Sequence, residues 1–273
     1  MKTVLITGAT DGIGRKTAQG LAEKGWNVLI HGRSEKRCLD VMREIRSVSG
    51  NSGIEYICAD LSDFENIHKM AEDVKNKFKT LSVLINNAGI FEPRQKFTSN
   101  GIELTFAVNH LAGFLLTGLL LDVLRQNTPA RIVNVSSMAH ASQMDFDNLR
   151  AHKRYSGHKA YAQSKLANIM FTFYLAEKLA DRGITVNCLH PGVIGTKLLH
   201  AGWGMGGNSV EQGAKTSVYL ASCPEVEQTT GKYFIDGHTA RPAAIAGDRN
   251  AQEQLWEISE TLCNYSYYQA GGQ

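Results

Sequence analysis

Three tyrosines in this chain are followed, four residues on, by a lysine: Tyr155 and Lys159, Tyr161 and Lys165, Tyr174 and Lys178. On a helix that spacing sets both side chains on one face, a turn apart. A free tyrosine, with a pKa near 10, is a poor proton donor and a worse base at neutral pH. An ammonium one turn away favours the phenolate and draws that pKa toward the working range. Such a pair can pass a proton to or from a substrate oxygen. A second constellation stands near the N-terminus, where Thr7-Gly8-Ala9-Thr10-Asp11-Gly12-Ile13-Gly14 follows a short β-branched run. Glycines here permit a tight turn and let the backbone approach a pyrophosphate, whose charge then sits at a helix N-terminus. Downstream, His31-Gly32-Arg33-Ser34 holds no acid. A free ribose 2′-hydroxyl calls for an acid about 20 residues past the glycines, and a 2′-phosphate calls for an arginine. Arg33 therefore favours NADP(H), with NAD(H) as the other option.

These groups need a scaffold, and short β-branched runs alternating with longer amphipathic ones supply it. Strands are expected at 3–7, 27–31, 55–59, 83–86, 131–136, 185–190 and 232–235, and helices at 14–24, 34–47, 64–78, 101–125, 161–181 and 209–221. Alternation sustained this long implies a Rossmann-like, doubly wound α/β fold: a mostly parallel seven-stranded sheet with helices on both faces, in one domain over 1–273. Ligands in such folds sit beyond the carboxyl ends of the strands. Two insertions leave the sheet there, 138–160 and 193–208. The second carries Gly202-Trp203-Gly204-Met205-Gly206-Gly207, which reads as a mobile lid too rich in glycine for a helix. With Met138, Met144, Phe146, Leu198, Leu199, Trp203 and Met205, the insertions should wall an elongated apolar pocket. The same layout separates the three tyrosines. Tyr155 lies inside an insertion where no helix fixes Lys159. Tyr174 stands roughly 20 Å further down the helix than Tyr161. Tyr161 is the candidate.

With these motifs in this order, the chain resembles the short-chain dehydrogenase/reductase family. Asp60-Leu61 stands where the family contacts adenine, Asn86-Asn87-Ala88-Gly89 ends the fourth strand, and Asn109 lies in the next helix. Ser136-Ser137 closes the fifth strand, Tyr161-Ala162-Gln163-Ser164-Lys165 opens the following helix, and Pro191-Gly192-Val193 with Thr196 follows the sixth. The resemblance implies that Lys165 also holds the nicotinamide ribose, Ser137 rather than Ser136 orients the carbonyl, and Asn109 anchors a water-linked proton relay. It assigns cofactor contacts to Gly8, Thr10, Asp11, Gly12, Ile13, Gly14, Arg33, Asp60, Leu61, Asn87, Ala88, Gly89, Tyr161, Lys165, Pro191, Gly192, Val193 and Thr196. More narrowly, 131–140, Ser164-Lys165-Leu166-Ala167-Asn168 and Gly231-Lys232-Tyr233-Phe234 resemble the retinol dehydrogenase-like branch. Two departures stand out. The membrane anchor those enzymes often carry is not seen, and Asp11 occupies a place where many NADP-using members have a basic residue.

Composition narrows the rest. A 43% apolar, 20% charged chain of 273 residues is not a disordered one. A net charge of +3 with scattered basic residues argues against a nucleic-acid partner. Five cysteines without a Cys-x-x-Cys pair give no disulfide or zinc framework, and the spacing of His140, His152 and His158 matches no metal motif. The uncharged run 104–121 is long enough to span a bilayer. It holds Asn109 and His110 between Glu103 and Asp122, so it reads as a buried helix. The expectation is a cytoplasmic protein without a membrane span. Family analogy adds a homodimer built on helices 101–125 and 161–181, whose Leu111, Phe114, Leu115, Phe171 and Leu175 exceed what one sheet face covers. The expected activity interconverts a small-molecule alcohol and a carbonyl. A dinucleotide-sensing regulator without turnover is the alternative, but it would have lost Tyr161 or Lys165. A nucleotide-sugar epimerase would need more chain than the roughly 80 residues after Pro191.

Overall fold

The first strand, β1 (Thr3–Ile6), sits near the middle of an eight-stranded sheet in a computed structural model that describes residues 2–149 and 154–267. His152 lies outside those residues. The chain continues through α1 (Gly12–Ala22), β2 (Asn27–Gly32), α2 (Glu35–Ser49), β3 (Ile54–Cys58), α3 (Phe64–Lys77) and β4 (Val83–Asn86). Next come α4 (Leu104–Phe106), a π-helical turn (Ala107–Leu111), α5 (Ala112–Arg125), β5 (Ala130–Val135), α6 (Gly157–Lys178) and β6 (Ile184–His190). Then follow α7 (Lys197–Trp203), α8 (Val210–Ser222), β7 (Lys232–Ile235), β8 (His238–Ala240) and α9 (Arg249–Cys263). The strand order is β3-β2-β1-β4-β5-β6-β7-β8, parallel except for the β7–β8 hairpin. This is the doubly wound fold the alternation implies, with one strand more than expected. Asp236 and Gly237, both at positive φ, make the two-residue turn into β8.

Alternation along β1 divides the core. Val4 and Ile6 face α1, α2 and α8, while Leu5 faces the layer built by α3, α5, α6 and α9. Burial on both faces explains why the strands read as continuous apolar runs. The run Leu104–Arg125 is long and apolar enough to cross a membrane by length and composition, and 78% of its apolar window is buried inside the fold. Here it is the main core helix.

The premise of the homodimer is corrected. Leu111, Phe114, Leu115, Phe171 and Leu175 are all under 5% exposed within the single chain. What covers them is α9 and the segment after it. The Trp256 ring lies 5.1 Å from Phe114 and 5.0 Å from Tyr174, and the Tyr267 hydroxyl donates to Phe114 O at 2.6 Å. The apolar surplus is met by the chain's own C-terminal helix. These five side chains therefore supply no interface, and any dimer seen by light scattering would have to use other surfaces.

Candidate active site

At the carboxyl ends of β1, β2 and β4 the chain builds a cradle from backbone. Gly8 adopts φ +64°, and its N–H donates to His31 Nδ1 at 3.2 Å. The other ring nitrogen of His31 then donates to Ala59 O at 3.1 Å, joining the ends of three strands. Burial pushes the His31 pKa down to about 4, so the ring is neutral. The Thr7 hydroxyl oxygen accepts from the N–H groups of Asn87 and Ala88, while Asn87 Nδ2 donates to Thr7 O at 2.8 Å. Gly14 closes the turn: a Cβ there would stand 2.4 Å from both Gly8 O and Asn87 Nδ2. Thr10 packs so tightly on Gly32 that a Cβ at 32 would meet it at 2.4 Å. At the outer end, Arg33 is exposed between β2 and α2, with Arg37 on the first turn of α2. Asp60 is exposed beyond β3 and accepts from Ser62, whereas Leu61 is buried in the core.

Asp11 has a different setting from the one its sequence suggests. Its carboxylate caps α1 through Gly12 N–H at 2.9 Å and pairs with Lys197 at 2.5 Å. The Lys197 hydrogen bond, with the Gly12 N–H and the Arg37 charge, holds its pKa below the ordinary carboxylate range. The acid is therefore already answered by a cation from α7, and opposes a phosphate less than a free carboxylate would.

The catalytic corner lies where β5 meets α6. Ser136 turns away from it and donates to Lys165 O at 2.7 Å. Ser137 lies beside the Tyr161 hydroxyl, and its Oγ accepts from Ala139 N at 3.1 Å. Lys165 donates to Val135 O at 3.0 Å and sits 5.5 Å from the centre of the Tyr161 ring. Gly89 lies against it; a Cβ at 89 would reach Lys165 Nζ at 3.4 Å. Burial pushes the Tyr161 pKa up to about 12, against a smaller lowering by Ser137, and pushes Lys165 down to about 8. Without cofactor, desolvation dominates both groups, because each is almost wholly buried. The result is a phenol that keeps its proton until something accepts it.

Asn109 sits in the π-helical turn with its side chain fully used. Its Oδ1 accepts from Ile90 N at 2.7 Å, and its Nδ2 donates to Ile90 O and Ser164 Oγ at 3.0 Å each. Ser164 in turn donates to Tyr161 O at 2.7 Å. The two other tyrosine–lysine pairs stand elsewhere. Tyr155 donates to Glu92 O at 2.6 Å while Lys159 pairs with Asp145. Tyr174 is a core residue under Trp256, with Lys178 and Arg249 over its ring.

A cavity of about 280 Å³ runs from Ile13, Asn87 and Gly89 past Ser137, Tyr161 and Lys165 to Pro191, Gly192, Val193 and Thr196. Together with the glycine cradle, which side chains would fill, it fits a nicotinamide dinucleotide. Met138, Leu198, Leu199, Trp203 and Met205 complete the lining. Met144 and Phe146 do not line it; they pack on the core because the 138–160 insertion folds back over α6. The 193–208 stretch is also more ordered than its glycines suggest. Thr196 caps α7 through Leu199 N–H, Gly204 ends that helix at φ +63°, and Gly195 and Val193 bond Asn208 through backbone. The helix brings Trp203 to 5.4 Å from the Tyr161 ring and 5.6 Å from Phe91. His158 ties it down by a bond to Gly202 O at 2.8 Å. No local spacing in the sequence links Phe91 or His158 to Trp203.

Comparison with known proteins gives these features a lineage. The family model described as short chain dehydrogenase matches residues 2–203. The chain belongs to the short-chain dehydrogenase family. It is thus an oxidoreductase of CH–OH groups that uses a nicotinamide dinucleotide. Mouse retinol dehydrogenase 12 is 40% identical over 94% of this chain and 85% of its own length. A Brassica napus relative named short-chain dehydrogenase TIC 32 A, chloroplastic, is 37% identical over 95% and 88%. With a chloroplastic relative at this distance, the cytoplasmic expectation gains no support. Among solved structures, an uncharacterized protein from Mycobacterium paratuberculosis has a TM-score of 0.82 at 31% identity, over 98% of this chain and 95% of that one. A short-chain dehydrogenase from Burkholderia cenocepacia, solved in complex with NADP, gives 0.69 at 29%, over 85% and 95%.

Proposed function

We propose that this short-chain dehydrogenase, acting as one catalytic domain, interconverts a lipophilic aldehyde or ketone and its alcohol with NADP(H), using Tyr161 as the general acid and base. The observation that carries the substrate reading is where apolar surface is left open. Among the described residues, Met138, Val193, Trp203 and Met205 stay 37–58% exposed, and all four line the one cavity that holds Tyr161. Clustered exposed apolar side chains in a cleft mark a ligand surface.

When bound, a reduced nicotinamide supplies a hydride to the carbonyl carbon. Tyr161 gives its proton to the carbonyl oxygen, and Ser137 holds that oxygen within reach. Lys165 returns positive charge to the phenolate left behind and engages the ribose. Asn109 fixes the first turn of α6 through Ser164 and the wall at Ile90. Gly8, Thr10, Asp11, Gly12, Ile13 and Gly14 cradle the pyrophosphate side, with Asn87, Ala88 and Gly89 beneath. Asp60 and Leu61 border the adenine, and Pro191, Gly192, Val193 and Thr196 border the nicotinamide. Burial favours the protonated phenol, so the resting site is loaded for reduction. Reductive turnover should fall as pH rises past about 8, where the Lys165 ammonium is lost. A rate flat well above that pH would count against Lys165 acting as a cation.

Arg33 sets the preference for the 2′-phosphate, with Asp11 already paired. One charge-assisted contact contributes about 1.5–3 kcal/mol, or roughly 10- to 100-fold in affinity. Fluorescence titration should therefore show NADPH binding at least tenfold tighter than NADH, and Arg33→Ala should erase most of the difference. Equal dissociation constants in the parent protein would sink this assignment. Screening NADPH oxidation against nonanal, 4-nitrobenzaldehyde and glyceraldehyde tests the function as a whole. Activity confined to glyceraldehyde would overturn the lipophilic reading, and none with any carbonyl would favour the sensing alternative.

A further inference from the structure

Beneath the catalytic corner runs a line of buried polar groups that the chemistry above does not use. It starts on α9 at Ser259, whose Oγ lies 3.0 Å from His110 Nε2. His110 Nδ1 lies 3.2 Å from Asn168 Oδ1. The amide of Asn168 then donates to Asn109 O at 2.9 Å and, more weakly, to Val135 O at 3.4 Å. Val135 O is also the acceptor of the Lys165 ammonium. All three side chains are more than nine-tenths buried, Ser259 at 0%, His110 at 1% and Asn168 at 7% exposure.

The Asn168 end of this line has a defined polarity. Burial pushes His110 down to about 4, so the ring carries a single N–H. Asn168 must aim Nδ2 at the two carbonyls, since an oxygen facing them would be repelled. Its Oδ1 then faces His110 and needs a donor, which fixes the ring proton on Nδ1. The Ser259 hydroxyl lies 3.0 Å from His110 Nε2 and 2.7 Å from Leu255 O, and its single proton serves one of these acceptors at a time. The Asn168 bonds thus point toward the π-helical turn and β5. Each group orients the next, and the last holds two carbonyls in place.

We propose that Asn168 is a positioning residue for the hydrogen transfer, with His110 and Ser259 setting the orientation of its amide. By clamping Asn109 O and sharing Val135 O with Lys165, it locks the π-helical turn to the end of β5. That lock fixes how far the Lys165 ammonium stands from the Tyr161 ring and where the Asn109 turn meets α6. Asn168 touches neither the cavity nor Tyr161, so it acts through its neighbours. The proposal rests on the roles assigned above to Tyr161 and Lys165.

The test compares Asn168→Leu, which keeps the volume and removes the amide, with His110→Phe, which keeps the ring and removes the donor. Readouts are kcat and KM with NADPH and nonanal, NADPH affinity by fluorescence titration, and thermal midpoint. Misplacing reacting groups by about 1 Å can cost roughly a hundredfold. Asn168→Leu should lower kcat about tenfold to a hundredfold, with NADPH affinity and the KM for nonanal within about threefold of the parent. His110→Phe should lower kcat less, in the same pattern, because the amide remains but is free to turn. Ser259→Ala should lower it least. A variant that melts earlier yet keeps parental kcat when folded would assign these residues to stability alone and overturn the proposal. So would a kcat loss matched by an equal loss of NADPH affinity. Tyr161→Phe measured alongside separates the layers: if it stays active the functional reading fails, whereas its loss beside a fully active Asn168→Leu defeats only this inference.

Discussion

Replacing Tyr161 by phenylalanine should cut turnover by about 10²–10⁴-fold, the usual contribution of a positioned proton transfer. The ring contacts with Phe91 and Trp203 survive the substitution, so folding and the cavity wall should not change. Only the hydroxyl beside Ser137 is removed. NADPH affinity should therefore stay within a few-fold of the parent. Lys165→Ala should behave differently, losing activity and cofactor affinity together, because the proposed role of its ammonium covers both the phenolate and the ribose. Tyr155→Phe and Tyr174→Phe are the controls. Tyr155 is committed to Glu92 O and Tyr174 to the core under Trp256, so each should keep most activity. Stopped-flow NADPH oxidation decides the matter. Near-parental rates in Tyr161→Phe, or loss in Tyr155→Phe instead, would show that the wrong tyrosine has been assigned.

Trp203→Ala should redirect specificity rather than abolish it. The indole closes the cavity between Phe91, His158 and Tyr161, and it is 37% exposed as it stands. A substrate chain lying against it would bury that face. Full burial of a large apolar side chain is worth about 1.5–3 kcal/mol, so kcat/KM for nonanal should fall roughly 10- to 100-fold. Glyceraldehyde, too short and too polar to reach the indole, should lose little. NADPH affinity should hardly move. Equal losses for both carbonyls would mean that Trp203 shapes the catalytic corner instead of the substrate path. Deleting the glycines around it would be a poorer experiment. A Cβ at Gly207 would stand 2.5 Å from Val193 O, and one at Gly202 would stand 3.2 Å from Phe91, so these glycines are packing sites.

Much of this was legible from residues alone, for identifiable reasons. The glycine turn, the tyrosine–lysine pair and the strand-closing serines are local motifs, and the doubly wound topology delivers them to one sheet edge whatever the details. Helix 34–47 is readable from its apolar period between the Ser34 cap and Gly50 at φ +66°, and strand 83–86 from its short continuous apolar run. What local pattern cannot show is a partner far away in sequence. Asp11 reads as a phosphate-repelling acid until Lys197, 186 residues on, is found beside it. Phe91 and His158, 5.1 Å apart, back Trp203 only because α7 brings the indole against both. The apolar surplus of Phe114 and Phe171 reads as an interface because its cover stands far along the chain, in a tail whose amphipathic run 253–262 reads equally as packed on the body or on a partner. Tyr161 and Lys165 are legible as a pair, but the depth of their burial is not, since it depends on everything packed around them.

That closing helix also governs when the molecule can finish folding. Leu255, Trp256 and Cys263 belong to the same cluster as Leu5 and Leu29, so the innermost layer includes residues from both ends of the chain. During synthesis, which proceeds at about 5–20 residues per second, the sheet and α6 emerge well before the residues that roof them. Until Trp256 and Tyr267 clear the ribosome, the outer faces of Phe114 and Phe171 stand open to water. The nascent chain therefore carries an aromatic slab that a chaperone would recognise, and it loses that slab only when α9 packs over it. A stop codon ahead of Arg249 would leave the proposed catalytic residues all present and the roof missing, producing a protein that aggregates rather than one that merely works slowly.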